Sequence, residues 1–528
     1  METIIHWNGL APIAIIFAAA FIGLLVETFI RSNTHPEPTA ELRSRLHLAL
    51  SLAAMALSLF SIVRLWGTEG AAFTVWGPTG QEEFLAPILI DGPGLFLQAT
   101  LVVLAAVATL FIAEQRTVKG GDFVAQAAVV ADSPADIEQR RLVGATEIYP
   151  LTLFALSGMM IFVVAGDLLT MFVGLEIMSI PLYLLCGLSK RRRLISQEAA
   201  FKYFLLGAFA SAFFVYGMAM VYGFAGNVAL PGIAGAAEVS EQPSAILYIG
   251  VAMLAVALLF KAAAVPFHMW TPDVYTGAPS AITALMASCV KVAAIGGLLR
   301  VFNMAFADSV ASWHFILTVV AVATMLGGAL WAVTQRNIKR LLAYSSIANA
   351  GYLLIGVIAL GDAVGATMFY LVAYGFTVIA AFAVISLVRD GDNEATDLSR
   401  WAGLGKHNPL LALVVTVLML ALAGIPFTSG FTAKFGLFAA GVSAGEMTLV
   451  IVGIVSSAIL AFPYLRIVVL IWLNEPAPDA PHISMPSPMA GSVVAMGVMA
   501  TLLLGVAPGL LIDLADGAGQ FIELARAQ

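Results

Sequence analysis

Long apolar runs recur along this chain and limit what it can fold into. Residues 247–260 and 410–425 contain no charged side chain, and only 11% of the 528 residues are charged. A soluble domain carries about 25% charged residues. In a bilayer, every backbone amide must be satisfied within the chain, which leaves helices or a closed barrel. Barrel strands would alternate in polarity over about ten residues. Since these runs do not alternate, the sequence predicts an all-α polytopic membrane protein.

A membrane-spanning helix needs about 20 apolar residues, and the sequence predicts fourteen such helices. They cover residues 9–30, 46–66, 92–114, 148–165, 167–188, 199–224, 245–265, 280–302, 313–334, 341–360, 364–388, 409–438, 447–473 and 488–513. Only Gly166 and Asp167 separate the fourth helix from the fifth, so we predict a tight turn there. The first run has no basic segment before it, which indicates a retained helix rather than a signal peptide.

The distribution of Lys and Arg predicts how the helices are oriented. Alternate loops are basic: Arg31, Arg43 and Arg45; Arg116, Lys119, Arg140 and Arg141; Lys190, Arg191, Arg192 and Arg193; Arg336, Lys339 and Arg340; and Arg389, Arg400 and Lys406. The loops at 67–90, 225–244 and 361–363 contain neither residue type. Basic loops face the cytoplasm. We therefore expect a multi-pass protein of the bacterial plasma (inner) membrane, with both termini on the outer side and residues 115–147 as a cytoplasmic loop.

A short sequence motif occurs twice. Residues 263–267 read Ala-Ala-Val-Pro-Phe and residues 423–427 read Ala-Gly-Ile-Pro-Phe, five predicted helices apart. A shift of five helices reverses direction in the membrane, so the match predicts inverted repeats with helices broken near Pro266 and Pro426. The alternative is a chance match in a strongly biased composition.

Four ionisable residues lie deep inside the apolar segments of predicted helices: Glu176, Lys261, Lys291 and Lys434. Each costs roughly 2.5–3.5 kcal/mol at a helix centre unless a partner or water satisfies it. The structural alternative is that Lys261 snorkels to the interface, Lys434 lies at the interface, and Glu176 and Lys291 form ion pairs that only lock helix packing. The functional alternative is a chain of proton sites. Burial disfavours the charged form of a lysine and a nearby carboxylate favours it, so such a lysine can exchange protons near neutral pH.

Further groups are candidates for bridging these proton sites together with water. They are His268, Ser345, Ser346, Tyr370 and Tyr374. Carbonyl groups released at Pro266 and Pro426 would hold such water. The sequence has no nucleotide-binding motif and no His pair at metal-ligand spacing, and Cys186 and Cys289 are too few for an iron–sulfur cluster. We therefore expect no cofactor or metal on this chain, the lipid bilayer as its environment, and no nucleic-acid partner.

Residues 261–279 contain Phe267-His268-Met269-Trp270-Thr271-Pro272-Asp273. This segment resembles the signature of the antiporter-like subunits of bacterial NADH:quinone oxidoreductase (respiratory complex I), in the form typical of its N subunits. Residues 174–176, 337–347 and 423–435 also resemble that family. The resemblance extends from about residue 167 to residue 435, and the hydropathy pattern extends it to the whole chain.

The resemblance implies inverted five-helix repeats formed by predicted helices 4–8 and 9–13. The expected divisions are 1–145, a three-helix segment with its loop; 146–302, the first repeat; 303–474, the second repeat; and 475–528, a linker and terminal helix. Glu176 and Lys261 would form the proton-input pair, Lys291 the central relay and Lys434 the exit site.

By the same resemblance, the chain would be the pumping part of a translocase. NADH, FMN, the iron–sulfur clusters and quinone would be handled by other subunits, and the expected partners are subunits M, L, K, A, J and H. Three alternatives stay open from the sequence: a subunit of a multisubunit cation/proton antiporter, a subunit of an energy-converting hydrogenase, and a structural membrane scaffold.

Overall fold

The protein is mostly helical, as its apolar runs predict. The computed structural model describes residues 3–29, 37–75, 85–114, 117, 121–124, 133–134, 147–190, 192–239, 245–361, 363–476, 478 and 480–522. Most of the predicted cytoplasmic loop 115–147 lies outside the described residues, so that prediction is not tested.

The main helices follow the predicted apolar runs. They are α1 (Trp7–Phe29), α2 (Glu37–Leu65), α3 (Gly92–Ile112), α4 (Ile148–Val164), α5 (Leu168–Cys186), α6 (Arg193–Ala225), α7a (Ala245–Ala262), α7b (Trp270–Gly277), α8 (Ser280–Met304), α9 (His314–Thr334), α10 (Ile338–Ala359), α11 (Ala363–Leu387), α12a (Pro409–Ala423), α12b (Ser429–Ser443), α13 (Met447–Leu473) and α14 (Pro488–Val506). Within the described part of the chain, 12 helices are long and apolar enough to cross a membrane, whereas α4 and α12a are apolar but shorter. The polytopic helical fold is confirmed, and the number of crossings stays a prediction.

The turn predicted between the fourth and fifth helices is present. Asp167 caps the start of α5 by accepting hydrogen bonds from the Thr170 backbone N–H at 2.7 Å and from its hydroxyl at 2.8 Å. The two helices pack closely at Gly158. A Cβ atom at this position would lie only 2.2 Å from the backbone nitrogen of Met178. Small residues permit such close approach between membrane helices.

Short strands, which the sequence did not indicate, pair across the helix ends. β1 (Thr3–Ile5), β2 (Gly70–Val75) and β3 (Leu85–Ile90) form one antiparallel sheet in that order. In the second sheet, β4 (Val388–Asp390) lies between β5 (Asn393–Glu394) and β6 (His482–Ile483). Strands of 2–6 residues are too short to show a reliable alternating pattern.

The centre of the protein is formed by α8, α10 and α11. All of residues 280–302 are buried, and α10 and α11 are buried along nearly their whole length. By contrast, α1, α6, α13 and α14 expose large apolar side chains, as expected of helices at the periphery in contact with lipid or other subunits. The buried central helices carry Lys291 and most of the predicted bridging groups.

Two helices end in the same motif. The N–H of Ala263 bonds the Phe260 carbonyl at 3.1 Å and that of Ala264 bonds Leu259 at 2.9 Å; the N–H of Gly424 bonds Ala421 at 3.0 Å and that of Ile425 bonds Leu420 at 3.0 Å. This pattern is the Schellman motif, whose residue after the helix end is left-handed. Ala263 has φ +64° and Gly424 has φ +85°. The chain thus leaves helical geometry just before Pro266 and just before Pro426, and it resumes at Trp270 and Ser429.

Candidate proton pathway

Lys261 lies in the last turn of α7a and is only 3% exposed. Its Nζ donates a hydrogen bond to the Ser179 hydroxyl at 2.6 Å. It also lies 5.5 Å and 5.4 Å from the ring centroids of Tyr183 and Tyr203, where cation–π attraction stabilises an ammonium. Lys261 therefore points into the protein and does not snorkel to the interface.

Glu176 lies on α5, three residues before Ser179, so the two side chains share one face of the helix. The Ser211 hydroxyl of α6 donates a hydrogen bond to the Glu176 carboxylate. Among the described residues, no N–O distance of 4.0 Å or less joins Glu176 to Lys261. The predicted input pair is thus near in space without a direct ion pair, and Lys261 contacts the Glu176 face of α5 through Ser179.

Lys291 lies at the centre of the fold and is 3% exposed. It directly follows a π-helical turn, Met286–Val290, which interrupts α8. Its Nζ donates to the backbone carbonyl of Ser346 in α10 at 2.7 Å and lies 5.9 Å from the Tyr374 ring centroid. π-turns inside α-helices occur frequently at functional sites.

Lys434 of α12b is 5% exposed, and its side chain reaches back across the break between α12b and α12a. Its Nζ donates to the Leu422 carbonyl at 3.1 Å, to the Ala423 carbonyl at 3.2 Å and to the Ser457 hydroxyl at 2.9 Å. The Tyr352 ring centroid is 5.3 Å away. The last carbonyls of a helix have no partner within it. The end of α12a therefore supplies acceptors for the ammonium.

A small cavity with largely apolar walls and a few polar groups lies beside Lys434. Its lining includes Lys434, Asn349, Tyr370 and Tyr374, the last of which also faces Lys291. Its volume of about 10 Å³ is near the minimum that holds one water. The Tyr370 hydroxyl donates to Asn349 Oδ1 at 2.5 Å. These contacts place Tyr374 beside Lys291, and both Tyr370 and Tyr374 on the wall of the cavity beside Lys434.

The other predicted bridging groups have different surroundings. Ser345 hydrogen-bonds the Tyr464 hydroxyl. The hydroxyl of Ser346 lies near the phenols of Tyr275 and Tyr374. His268 lies in the break of α7 and stacks on Trp331, with centroids 4.8 Å apart. Among the described residues, no hydrogen bond joins His268 to Glu176 or to the three lysines.

A fully buried ion pair, formed by Asp91 and Arg300, was not predicted from the sequence. Arg300 NH2 lies 2.7 Å from Asp91 Oδ1, NH1 donates to Oδ2 at 2.9 Å, and both side chains are 0% exposed. Arg300 Nε also donates to the Val163 carbonyl at 2.7 Å. The available signal was Arg300 itself, which ends an apolar stretch of the same helix as Lys291. The pair joins the start of α3 to the end of α8.

Comparison with known proteins decides the family. The profile of the family described as "NADH:quinone oxidoreductase/Mrp antiporter, TM" matches residues 165–460. A protein of Salinispora arenicola named NADH-quinone oxidoreductase subunit N is 53% identical, over 98% of both chains. The chain belongs to the subunit N family. The subunit N of Saccharopolyspora erythraea is 50% identical, also over 98% of both chains.

Solved structures share the fold of this chain. A chain of respiratory complex I from Thermus thermophilus aligns with a TM-score of 0.74 at 31% identity, over 96% of this chain and 99% of that one. A chain of the Mrp complex from Dietzia sp. aligns with a TM-score of 0.76 at 24% identity, over 96% and 97%. The second likeness shows the fold alone. Together with the relatives, the complex I match supports a proton-translocating membrane-arm subunit of complex I over the antiporter, hydrogenase and scaffold alternatives.

Proposed function

We propose that this subunit N moves protons across the bacterial plasma membrane through Glu176, Lys261, Lys291 and Lys434. Electron transfer from NADH to quinone, on other subunits that hold FMN and the iron–sulfur clusters, drives the movement. The chain then acts as part of a translocase and holds no redox centre of its own. The partners that we propose are subunits M, L, K, A, J and H.

The observation that carries this proposal is the kind of partner each lysine has. Lys261, Lys291 and Lys434 are at most 5% exposed, and their hydrogen bonds go to hydroxyl or carbonyl oxygens. Such a lysine can lose its proton without leaving a carboxylate unpaired. Arg300, in contrast, is paired bidentately with Asp91 and stays charged, as arginine does throughout proteins. The contrast supports a proton-carrying role for the three lysines and a structural role for Arg300.

The proposed path begins at Glu176 and Lys261 on the cytoplasmic side. The proton then reaches Lys291, and the hydroxyl groups of Ser346, Tyr374 and Tyr370, with water, connect Lys291 to Lys434. Release takes place on the outer side, where both chain termini lie in the proposed orientation.

Substitution of Lys291 tests the relay. Lys291→Met should suppress proton pumping and the quinone reduction coupled to it, while native gels still show an assembled complex. Lys291→Arg keeps the positive charge, but a guanidinium with a pKa above about 12 cannot release a proton. A relay therefore predicts that assembled Lys291→Arg complexes stay impaired. Pumping at the wild-type rate in those complexes would refute the central relay role.

Deletion of the whole subunit tests its place in the complex. Without it, NADH-driven pumping should be lost, while NADH oxidation with a soluble electron acceptor persists in the flavin-bearing arm. Normal pumping combined with sodium sensitivity in the deletion strain would instead indicate a cation/proton antiporter.

A further inference from the structure

A single carboxylate, that of Glu394, joins three elements at the cytoplasmic ends of the central helices. Glu394 belongs to β5 and its side chain is 15% exposed. Its Oε2 lies 3.1 Å from Lys339 Nζ, and its Oε1 accepts a hydrogen bond from the Ser280 hydroxyl at 2.5 Å. Lys339 Nζ also donates to the Ala278 carbonyl at 3.2 Å.

The partners of Glu394 stand at the starts of the helices that hold Lys291. Ser280 is the first residue of α8, and Lys339 is the second residue of α10. Further along, the same two helices meet where Lys291 Nζ of α8 donates to the Ser346 carbonyl of α10. The Glu394 contacts and the Lys291 contact therefore join the same pair of helices at two depths.

Electrostatics keeps the Glu394 contacts in place at neutral pH. Burial acts to raise the pKa of Glu394, but Lys339, the Ser280 hydroxyl and Arg389 together lower it below its ordinary value. The carboxyl is therefore ionised in the physiological range. A polar cavity of about 40 Å³, lined by Glu394, Lys339, Ser280 and Thr276 among others, adjoins the cluster. It has room for a few waters that would stabilise the charges.

We propose that Glu394 is a positioning residue for Lys291: by tying the start of α8 to the start of α10, it holds the ammonium against the Ser346 carbonyl. The proposal rests on the proton relay proposed above. Loss of the Glu394 charge leaves Lys339 without its carboxylate in a buried site, and the unpaired charge is costly enough to displace its surroundings. Displacement of α8 along α10 changes the geometry at Lys291, and a misplacement of about 1 Å costs a reaction up to about 100-fold in rate.

The test is Glu394→Gln in the full complex. Glutamine keeps the size of the side chain and an acceptor for Ser280 but removes the charge. Assembly is checked on native gels, and NADH oxidation with a soluble acceptor should stay normal. The proton-pumping rate should fall by about three- to tenfold, within the range that small misplacements produce, and the pH profile of pumping should move. Glu475→Gln is the matched control, because Glu475 pairs with Lys406 but is 84% exposed; it should pump normally.

The outcomes separate this inference from the relay. If Glu394→Gln complexes assemble and pump at the wild-type rate with the wild-type pH profile, while Lys291→Arg is impaired, the positioning role is wrong and the relay stands. If Lys291→Arg also pumps normally, both are wrong. If Glu394→Gln prevents assembly, the variant Ser280→Ala takes its place in the test, because it removes only the hydroxyl contact to Glu394. A smaller loss of pumping with a moved pH profile supports the positioning role, and unchanged pumping overturns it.

Discussion

Lys434 donates a hydrogen bond to the carbonyl oxygen of Leu422, 3.1 Å away across the break in its own helix. The ammonium thus takes up acceptors that the end of α12a leaves free, and the Ala423 carbonyl and Ser457 complete its surroundings. The break and the lysine form one unit, because a continuous helix would use these carbonyls for its own hydrogen bonds.

This arrangement predicts a clear order of effects at Lys434. Lys434→Met removes the proposed proton carrier and should abolish most pumping in assembled complexes. Ser457→Ala removes one of three acceptors and leaves the two carbonyls, so pumping should fall by no more than a few-fold, corresponding to about 1 kcal/mol. Pumping rates in inverted membrane vesicles give the comparison. Equal losses in the two variants would show that the hydroxyl, and not the carbonyl pair, holds the site together.

The left-handed residues at the two helix ends predict opposite effects of exchanging Gly and Ala. Gly424→Ala places a Cβ at φ +85° and 3.1 Å from Lys434 Cδ, so we expect lower thermal stability and slower pumping. Ala263→Gly relieves a left-handed alanine at φ +64° and should be neutral or stabilising. Each left-handed alanine costs roughly 1–2 kcal/mol. Thermal melting of the purified complexes measures both; destabilisation by Ala263→Gly would contradict this reasoning.

Because Asp91 and Arg300 are buried together, we expect that replacing one of them reduces assembly more than replacing both. Arg300→Met leaves a buried carboxylate unpaired and should cost about 3–5 kcal/mol, seen as poor assembly. The double variant Asp91→Asn/Arg300→Met removes both charges and keeps an acceptor for the Gly94 N–H that Asp91 caps. It should assemble better than Arg300→Met alone. The amount of assembled complex on native gels is the measurement, and the reverse order would contradict the prediction.

Acid should remove the stabilising effect of Glu394. The pKa of Glu394 is lower in the folded protein than its ordinary value. Its contribution is therefore present above the ordinary pKa of a glutamate and is lost as pH falls through the folded pKa. Wild type should be more stable than Glu394→Gln at neutral pH, and the difference in melting temperature should shrink as pH falls below about 4. A difference that persists unchanged in acid would mean that the carboxylate charge is not responsible.

The orientation is tested by cysteine labelling. Thr68 and Ser399 are both exposed, one in the predicted outer loop 67–90 and one in a predicted cytoplasmic loop. A membrane-impermeant thiol reagent added from outside should modify Thr68→Cys and spare Ser399→Cys. The native Cys186 and Cys289 are buried and give little background. The opposite labelling pattern would invert the orientation and the direction of the proposed path.

Sequence alone predicted the helices well because bilayer-length apolar runs have few other solutions. It also placed the breaks near Pro266 and Pro426. The repeated motif, however, aligns Ala263 with Ala423, whereas the left-handed residues that end α7a and α12a are Ala263 and Gly424. The two helix ends are thus one residue out of phase with the sequence match. Backbone hydrogen bonding decides that phase, and proline positions alone do not reveal it.

The sequence pattern could not predict which polar side chains pair when they lie far apart in the chain. Asp91 and Arg300 are 209 residues apart, and Ser280 and Glu394 are 114 apart. In the sequence, Asp91 stands just before a predicted helix and Glu394 lies between two predicted helices, so neither position indicates its partner. Only the packing of α3 on α8, and of the α11–α12a connection under α8, brings the partners together.

The full burial of residues 280–302 of α8 has a consequence for how the bilayer affects this subunit. Lipid thickness changes the tilt of helices whose apolar length is in contact with acyl chains. Since this part of α8 has no such contact, a change in membrane thickness can alter the surroundings of Lys291 only by moving the outer helices packed around α8. The subunit should therefore tolerate changes in acyl-chain length better at Lys291 than at its lipid-exposed helices.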